Sequence, residues 1–319
     1  MNTSFQSLWT RRPVGWSAVD LQGGVFGVSV QMPGRKGEKP LVLAYDAFEG
    51  QTVVDGSVLA QLGRAVMLNK FATVALLGRQ QYQIFMVDKP AVRSDEMQSS
   101  LRLVVSSLID YPIADASLGW LEIPVQQSMG GRVPQLYTAV AKTEHVQACA
   151  ALFEQARIRL DAVDIRESAQ RNISFLLESD GAATCLIHAN SDGVQLTVTF
   201  KREVYLVRFI GETFADKTGP QSQDQLQAAV ARLALEIHRS LDFVRRNYPS
   251  LNLEALHVAP TTFGLDLAAL LQPQLGMEVK SLDLGSVFDF PADSGLVQAQ
   301  VQAKFFNALG AALRIDAQE

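Results

Sequence analysis

The sequence predicts an α/β protein of two lobes. Three observations carry that reading. The chain has 319 residues, 48% hydrophobic and 19% charged, which is globular composition with enough apolar material for about two domains. Two separate regions each hold three strand-like runs joined by tight turns and followed by a helical stretch. From the second region onward, strands and helices alternate to the C-terminus, as an α/β sheet requires.

The first lobe opens with a hairpin. Residues Val14 to Val30 alternate apolar and small or polar side chains around the turn Gln22-Gly23-Gly24, and Leu41 to Ala44 continues as a third strand. Between them, Gly34 to Pro40 reads as a solvated turn whose basic residues Arg35, Lys36 and Lys39 belong to a loop. Val58, Leu62, Ala65 and Val66 keep helical spacing, and Phe71–Leu77 with Tyr82–Val87 reads as a strand pair across Gly78-Arg79-Gln80. Pro90 closes this unit.

A smaller α+β unit follows. Met97, Leu101, Val104, Val105 and Leu108 mark one face of a helix, with Ser94 as N-cap and Asp95 and Glu96 in the first turn, where acidic groups favour the helix dipole. Asp110-Tyr111-Pro112 ends it. Strands at Leu118–Val125 and Leu136–Ala141 are joined by a loop through Met129-Gly130-Gly131, then come a helix over Glu144–Ala156 and a strand over Leu160–Ile165.

The second lobe begins near Glu167 with a short helix. Thr184–Ala189, Val194–Phe200 and Val204–Ile210 form an antiparallel meander through the turns Asn190-Ser191-Asp192-Gly193 and Lys201-Arg202-Glu203. After a polar linker, Asp216 to Ser222, a long amphipathic helix runs through Leu226, Val230, Leu233, Ile237, Leu241 and Val244 and stops by Pro249. A strand at Leu256–Ala259, a helix near Leu265–Leu271, a strand at Met277–Leu282 and a helix over Leu296–Leu313 complete the chain.

Composition excludes several functions. Lys plus Arg number 28 against 33 Asp plus Glu, a net charge of -5, so no basic field selects nucleic acid or anionic lipid. Every hydrophobic stretch is interrupted well before the ~18 residues of a spanning helix. Arg11-Arg12 is followed by Pro13-Val14-Gly15-Trp16-Ser17, not by the apolar segment of an export signal. Cys149 and Cys185 lack metal or redox spacing, and His145, His188, His238 and His257 lie in four separate segments. No P-loop, GxSxG or HExxH is present, and Asp283-Leu284-Gly285 reads as a turn.

Five stretches change this picture. They are Ser107-Leu108-Ile109-Asp110-Tyr111-Pro112; Leu160-Asp161-Ala162-Val163-Asp164-Ile165 with Ala169-Gln170-Arg171-Asn172; Leu233 to Asp242; Val258-Ala259-Pro260; and Leu309-Gly310-Ala311-Ala312-Leu313-Arg314. In this order they resemble the MshI family of MSHA pilus biogenesis proteins and, more distantly, PilM, over nearly the whole chain from about Val14. The resemblance implies an actin-like (ribonuclease H-like), PilM-like fold. Subdomain 1A would span residues 1–90 plus 296–319, an inserted α+β subdomain 1C residues 91–166, and subdomain 2A residues 167–295.

It also implies a function: a cytoplasmic scaffold of type IV pilus assembly that binds the cytoplasmic N-terminal tail of a PilN-like inner-membrane protein and contacts the membrane only through that partner. In PilM the tail lies in a groove at 1A and 1C, which corresponds to the helix Met97–Ile109 and the strands Leu118–Val125 and Leu136–Ala141. Leu108, Tyr111 and Trp120 are the groove candidates, because large apolar or aromatic side chains provide anchoring area. The competing reading is that they fill the core of 1C.

Actin-like ATPases hold nucleotide between two glycine-containing turns, with acidic residues placing magnesium. The stations here are Asp20, Gly23 and Gly24 in lobe 1, Asp192 and Gly193 in lobe 2, and Thr261 on the adenosine side. Neither turn has the Asp-x-Gly pattern, and Ala259-Pro260-Thr261-Thr262 replaces the glycines of PilM. Pro260 has no N–H to donate. A degenerate cleft without ATP or magnesium is the expectation; the alternative is a weak magnesium-dependent ATPase in which Asp20 and Asp192 place magnesium and water.

Overall fold

The computed structural model describes residues 14–35, 37–50, 54–124, 133–214 and 223–314. The readings on Arg11-Arg12, Lys36, the loop through Met129–Gly131 and the linker Asp216–Ser222 lie outside the described residues.

Lobe 1 is a five-stranded sheet. Gly15–Asp20 (β1) pairs antiparallel with Gly24–Gln31 (β2), which pairs with Leu41–Glu49 (β3); β1 also runs parallel to Ala72–Leu76 (β4). The helix Gly56–Ala65 (α1) crosses from β3 to β4, capped by Asp55, whose carboxylate accepts the N–H groups of Ser57 at 2.8 Å and Val58 at 3.0 Å. Beyond β4 the chain leaves the sheet for Tyr82–Asp88 (β5), Met97–Val105 (α2), Ala116–Ile123 (β6), Gln135–Lys142 (β7) and Thr143–Gln155 (α3). It returns as Ala162–Asp164 (β8), giving the order β3-β2-β1-β4-β8.

The strands β5, β7 and β6 form a separate antiparallel sheet in that order, with register Tyr82↔Ala141 and Trp120↔Thr138. This corrects the expected pairing of Phe71–Leu77 with Tyr82–Val87. Both edges of β4 are already taken, by β1 and β8, so β5 has nowhere to dock in lobe 1. The inserted sheet therefore begins at Tyr82. β8 pairs with β4, and α3 packs on both units: Cys149 and Phe153 share a core with Leu59 and Leu62 of α1, and Val146 packs against Tyr82 of β5 and Ala141 of β7.

Lobe 2 repeats the plan. Ala183–Ala189 (β9), Val194–Phe200 (β10) and Glu203–Ile210 (β11) form the meander; the long helix Gln223–Asn247 (α5) crosses to Leu253–Val258 (β12), and Leu267–Leu275 (α6) crosses to Glu278–Ser281 (β13). The order β11-β10-β9-β12-β13 matches lobe 1 strand for strand, with two antiparallel and two parallel pairings in each.

Two helices join the lobes: Arg166–Leu177 (α4), between β8 and β9, and Ala299–Ala311 (α7), which returns to lobe 1. The sequence predicts only a short helix near Glu167, because Arg166, Glu167, Ser168, Gln170, Asn172 and Ser174 obscure any apolar stripe. All six are nevertheless buried. They are accommodated by pairing: the Gln170 amide donates to the Leu186 carbonyl at 2.8 Å, and the Asn172 amide to the Gly310 carbonyl at 2.9 Å. A Cβ at Gly310 would lie 2.3 Å from the Ala169 carbonyl oxygen, so glycine is what lets α4 and α7 touch backbone to backbone. Phe306 of α7, fully buried, stacks on His188 of β9 at 4.1 Å. Among the described residues, no helix is long and apolar enough to cross a membrane.

Candidate functional site

Two features lie where the chain's lobes and inserted sheet meet. The first is the cleft between the hairpin turns. In lobe 1, Asp20 ends β1 as a buried carboxylate and accepts the N–H of Gln22 at 3.1 Å. In lobe 2, Asn190 accepts the N–H groups of Asp192 at 2.9 Å and Gly193 at 3.3 Å. The turns meet directly: the Gln22 amide donates to Asp192 Oδ2, while its carbonyl oxygen accepts the N–H of Arg79 at 3.0 Å.

Between them sits Arg166, on the first turn of α4 and buried. Its guanidinium is 3.6 Å from Asp20 Oδ2 and 3.0 Å from Asp192 Oδ2. Asn307 of α7 adds a hydrogen bond to Asp20 Oδ2 at 3.1 Å. The cleft thus brings together Asp20, Asp192 and the two turns around a cation supplied by the chain itself.

The glycines of these turns answer to the sheets. Gly24 has φ +145 and Gly193 φ +149, and a Cβ would lie 2.8 Å from the Phe48 carbonyl oxygen in the first case and 2.6 Å from that of Ile210 in the second. Gly23, with φ +74, has nothing near its Cβ position and is needed for the turn. Thr261 is buried, its hydroxyl donating to the Leu265 carbonyl at 3.2 Å.

The second feature is a groove of about 570 Å³ between the inserted sheet and lobe 1. Five consecutive residues of β6, Ser117 to Leu121, line one wall, and Val163, Asp164 and Ile165 line the other. Both β6 and β8 are terminal strands of their sheets, and Tyr137, Ala139 and Ala141, alternate residues of β7, floor the groove between them. Leu118, Trp120 and Val146 provide apolar surface, and Ser168 and Arg171 of α4 provide polar groups at one end. Beneath it, the Tyr82 hydroxyl donates to Glu167 Oε2 at 2.6 Å, and burial pushes both groups' pKa values up.

Of the three groove candidates, only Trp120 lines this space, with 37% of its surface exposed. Leu108 is 44% exposed beyond the end of α2, and Tyr111 is half-buried against the Val105, Ala116 and Val140 cluster with Lys142 5.5 Å above its ring. Sequence reasoning missed Arg166, Asn307 and Glu167. The available signal was a run polar on every face, Arg166 to Asn172, placed between two strands where an exposed helix has no room.

The two cysteines are buried, and burial lifts their thiols to about 11 for Cys149 and about 12 for Cys185, which leaves them inert hydrophobes. His188 is held down to about 3, chiefly by burial and then by the Arg166 charge.

No protein-family model matches the chain, and no curated protein matches it in sequence. Solved structures do. The PilM–PilN type IV pilus biogenesis complex superposes with a TM-score of 0.75 over 94% of this chain and 98% of that chain, at 16% identity. A Bacteroides thetaiotaomicron protein with an actin-like ATPase fold gives 0.49 over 92% and 96%, at 9% identity. The cytoplasmic domain of EpsL, an inner-membrane component of the Vibrio cholerae type II secretion system, gives 0.46 over 91% and 94%, at 12% identity. With its strand order repeated in two lobes that pack through α4 and α7, the chain has the two-lobed actin-like fold that it shares with the PilM–PilN structure.

Proposed function

We propose that this chain is a PilM-like scaffold of type IV pilus assembly, of the MSHA kind represented by MshI, that works on the cytoplasmic face of the inner membrane by binding the cytoplasmic N-terminal tail of a PilN-like membrane protein. The observation that carries this reading is the groove between β6 and β8, in a fold shared nearly end to end with a protein solved in complex with PilN. An extended tail gains main-chain hydrogen bonds along a strand edge and buries an apolar side chain in an adjoining pocket. Trp120 and Leu118 supply that pocket. Leu108 and Tyr111 lie outside it, so the tail's anchor is Trp120.

The cleft belongs to the same reading. The residues there do not fit a magnesium nucleotide. A metal ion would have to displace the Arg166 guanidinium from between Asp20 and Asp192, at the cost of breaking a buried ion pair. The N–H groups of Gln22, Asp192 and Gly193 that a phosphate needs are held by Asp20 and Asn190. We therefore read the chain as a scaffold without catalysis.

Titration of a fluorescent PilN-type tail tests the proposal. Saturable binding lost in Trp120→Glu and kept in Leu108→Glu is the expected result; binding indifferent to Trp120→Glu removes the groove. Millimolar magnesium-ATP should leave the melting temperature unchanged, whereas a ligand at 100 times its Kd would add about 2.7 kcal/mol. A saturable shift abolished by Asp20→Ala or Asp192→Ala would restore the ATPase alternative.

A further inference from the structure

The cleft lies at the carboxyl ends of β1 and β4, and the amino ends of the same strands form a surface of their own. β1 and β4 run parallel with Trp16 opposite Ala72, and Gly15 packs against the Phe71 ring. The turn Leu68–Lys70 that leads into β4 therefore lies beside Val14, at the opposite end of the sheet from Gln22. The helices α1 and α3, which share a core through Leu62 and Phe153, finish at this end too. Two residues beyond their last residues, Ala65 and Gln155, stand Met67 and Arg157, both with φ +56. In α3 this makes a Schellman end: the N–H of Ile158 donates to the Phe153 carbonyl at 3.0 Å, and that of Arg157 to the Glu154 carbonyl at 2.9 Å.

Glycine is the ordinary residue at a left-handed helix end, because a Cβ there strains the backbone. Such strain persists where the side chain serves a purpose. Here two neighbouring helices carry it, and both side chains reach one hollow of about 280 Å³ that Arg64, Asn69 and Lys70 also line. No carboxylate lines the hollow. Arg64, Lys70 and Arg157 are exposed and make no ion pair among the described residues, whereas Arg159 beside them is held by Asp161 at 2.6 Å. Apolar surface accompanies the charge: Met67 is 40% exposed and Val14 74%. The helix dipole favours a cation at a helix C-terminus, but it accounts neither for a methionine in the strained position nor for Lys70, which lies beyond α1.

We propose that this end of lobe 1 rests on an anionic bilayer, with Arg64, Lys70 and Arg157 among the phosphate headgroups and Met67 and Val14 reaching between them. A free phosphate would be held by the cations alone and gains nothing from an exposed methionine; a bilayer takes both. The net charge of -5 does not oppose this, because salt confines the interaction to charges within about 8 Å of the surface. The choice of a bilayer rests on the membrane setting proposed above, but the residues are not those of the tail groove. Each cation at a membrane surface adds about fivefold to binding, so three add only about a hundredfold. A contact that weak becomes effective beside a tethered tail, which raises the local concentration of the surface. The chain would then touch the membrane itself as well as through its partner.

Cosedimentation of the full chain with vesicles at millimolar lipid tests this. Vesicles of equal parts phosphatidylglycerol and phosphatidylcholine should carry the chain down, and less of it as salt rises; pure phosphatidylcholine should not. Arg157→Gly and Met67→Gly relieve the left-handed positions, so their melting temperatures should not fall. Arg157→Gly should nevertheless weaken vesicle binding about fivefold, and Met67→Gly should weaken it as well. Lys70→Gln, an exposed change, should match Arg157→Gly and carries the test if a glycine variant is destabilised. No binding to the mixed vesicles, equal binding to both kinds, or indifference to both Arg157→Gly and Lys70→Gln overturns the proposal. Binding that ignores Met67→Gly and is displaced by millimolar inorganic phosphate at fixed ionic strength would mark a free-anion site and overturn the bilayer. Trp120→Glu should leave vesicle binding unchanged, and Arg157→Gly should leave binding of the tail peptide unchanged, so this proposal and the tail groove can fail separately.

Discussion

At the head of the lobe 1 turn, Asp20 accepts the N–H two residues on, from Gln22; at the head of the lobe 2 turn, Asn190 does the same for Asp192. Gly24 at the start of β2 and Gly193 just before β10 then have nearly the same φ, each pressed against a carbonyl of the third strand. The two backbones solve one problem in one way, but the charges are exchanged. Lobe 1 puts its acid at the head of the turn and an amide at the tip; lobe 2 puts an amide at the head and its acid at the tip. The tips can therefore hydrogen-bond to each other, and a single arginine can reach both acids. With an acid at both tips, the Gln22–Asp192 hydrogen bond could not form.

The largest break in this arrangement is Arg166→Met. It leaves two facing carboxylates without their cation, one buried and one partly buried, and should cost about 3–5 kcal/mol, read as a fall in denaturation midpoint. Asp192→Asn removes the more exposed acid and should cost less than Asp20→Asn; equal losses would mean that burial does not set the asymmetry. Next come the glycines. Gly24→Ala and Gly193→Ala should each cost about 1–3 kcal/mol, and a much smaller loss at one would show that the two turns are not equivalent.

His188, packed behind the cleft, gives a pH test of similar size. Because the folded protein keeps it neutral with a pKa of about 3, the unfolded chain takes up the proton first. Stability is complete above pH 6.5 and falls as the pH drops from there toward 3, by about 2 kcal/mol at pH 5. His188→Gln should flatten urea-unfolding midpoints between pH 7 and pH 5. The smallest effect is at the groove: Trp120→Glu should shift stability by no more than about 0.5 kcal/mol while abolishing tail binding.

Strands and turns were legible because their signals are local. Both hairpins announce themselves by alternation and by Gln22-Gly23-Gly24 or Asn190-Ser191-Asp192-Gly193, and α5 by its apolar spacing. The pairing of β5 was not legible, since which edge a strand finds depends on which edges are already occupied. Nor were the length and burial of α4, though its start was: a helix buried between two lobes is satisfied by partners as distant in sequence as Gly310 and Asp20, so its own residues read as solvated. For the same reason the two turns could be located while the cation joining them could not. Trp120 could be named as a large apolar residue on a strand, but only the fold separates it from Leu108.

The first turn of α4 has two clients. Arg166 faces the cleft, while Glu167, Ser168 and Arg171 face the tail groove, and the helix rests on α7 through the backbone contact at Ala169 and Gly310. A rigid rod on a fulcrum cannot move one end of its load alone. A tilt that drew Arg166 out of the cleft would also move the groove wall, so a ligand that favoured one tilt at either site would shift the other site equally. A bound tail would then report on the angle between the lobes, and prising the lobes apart would release the tail.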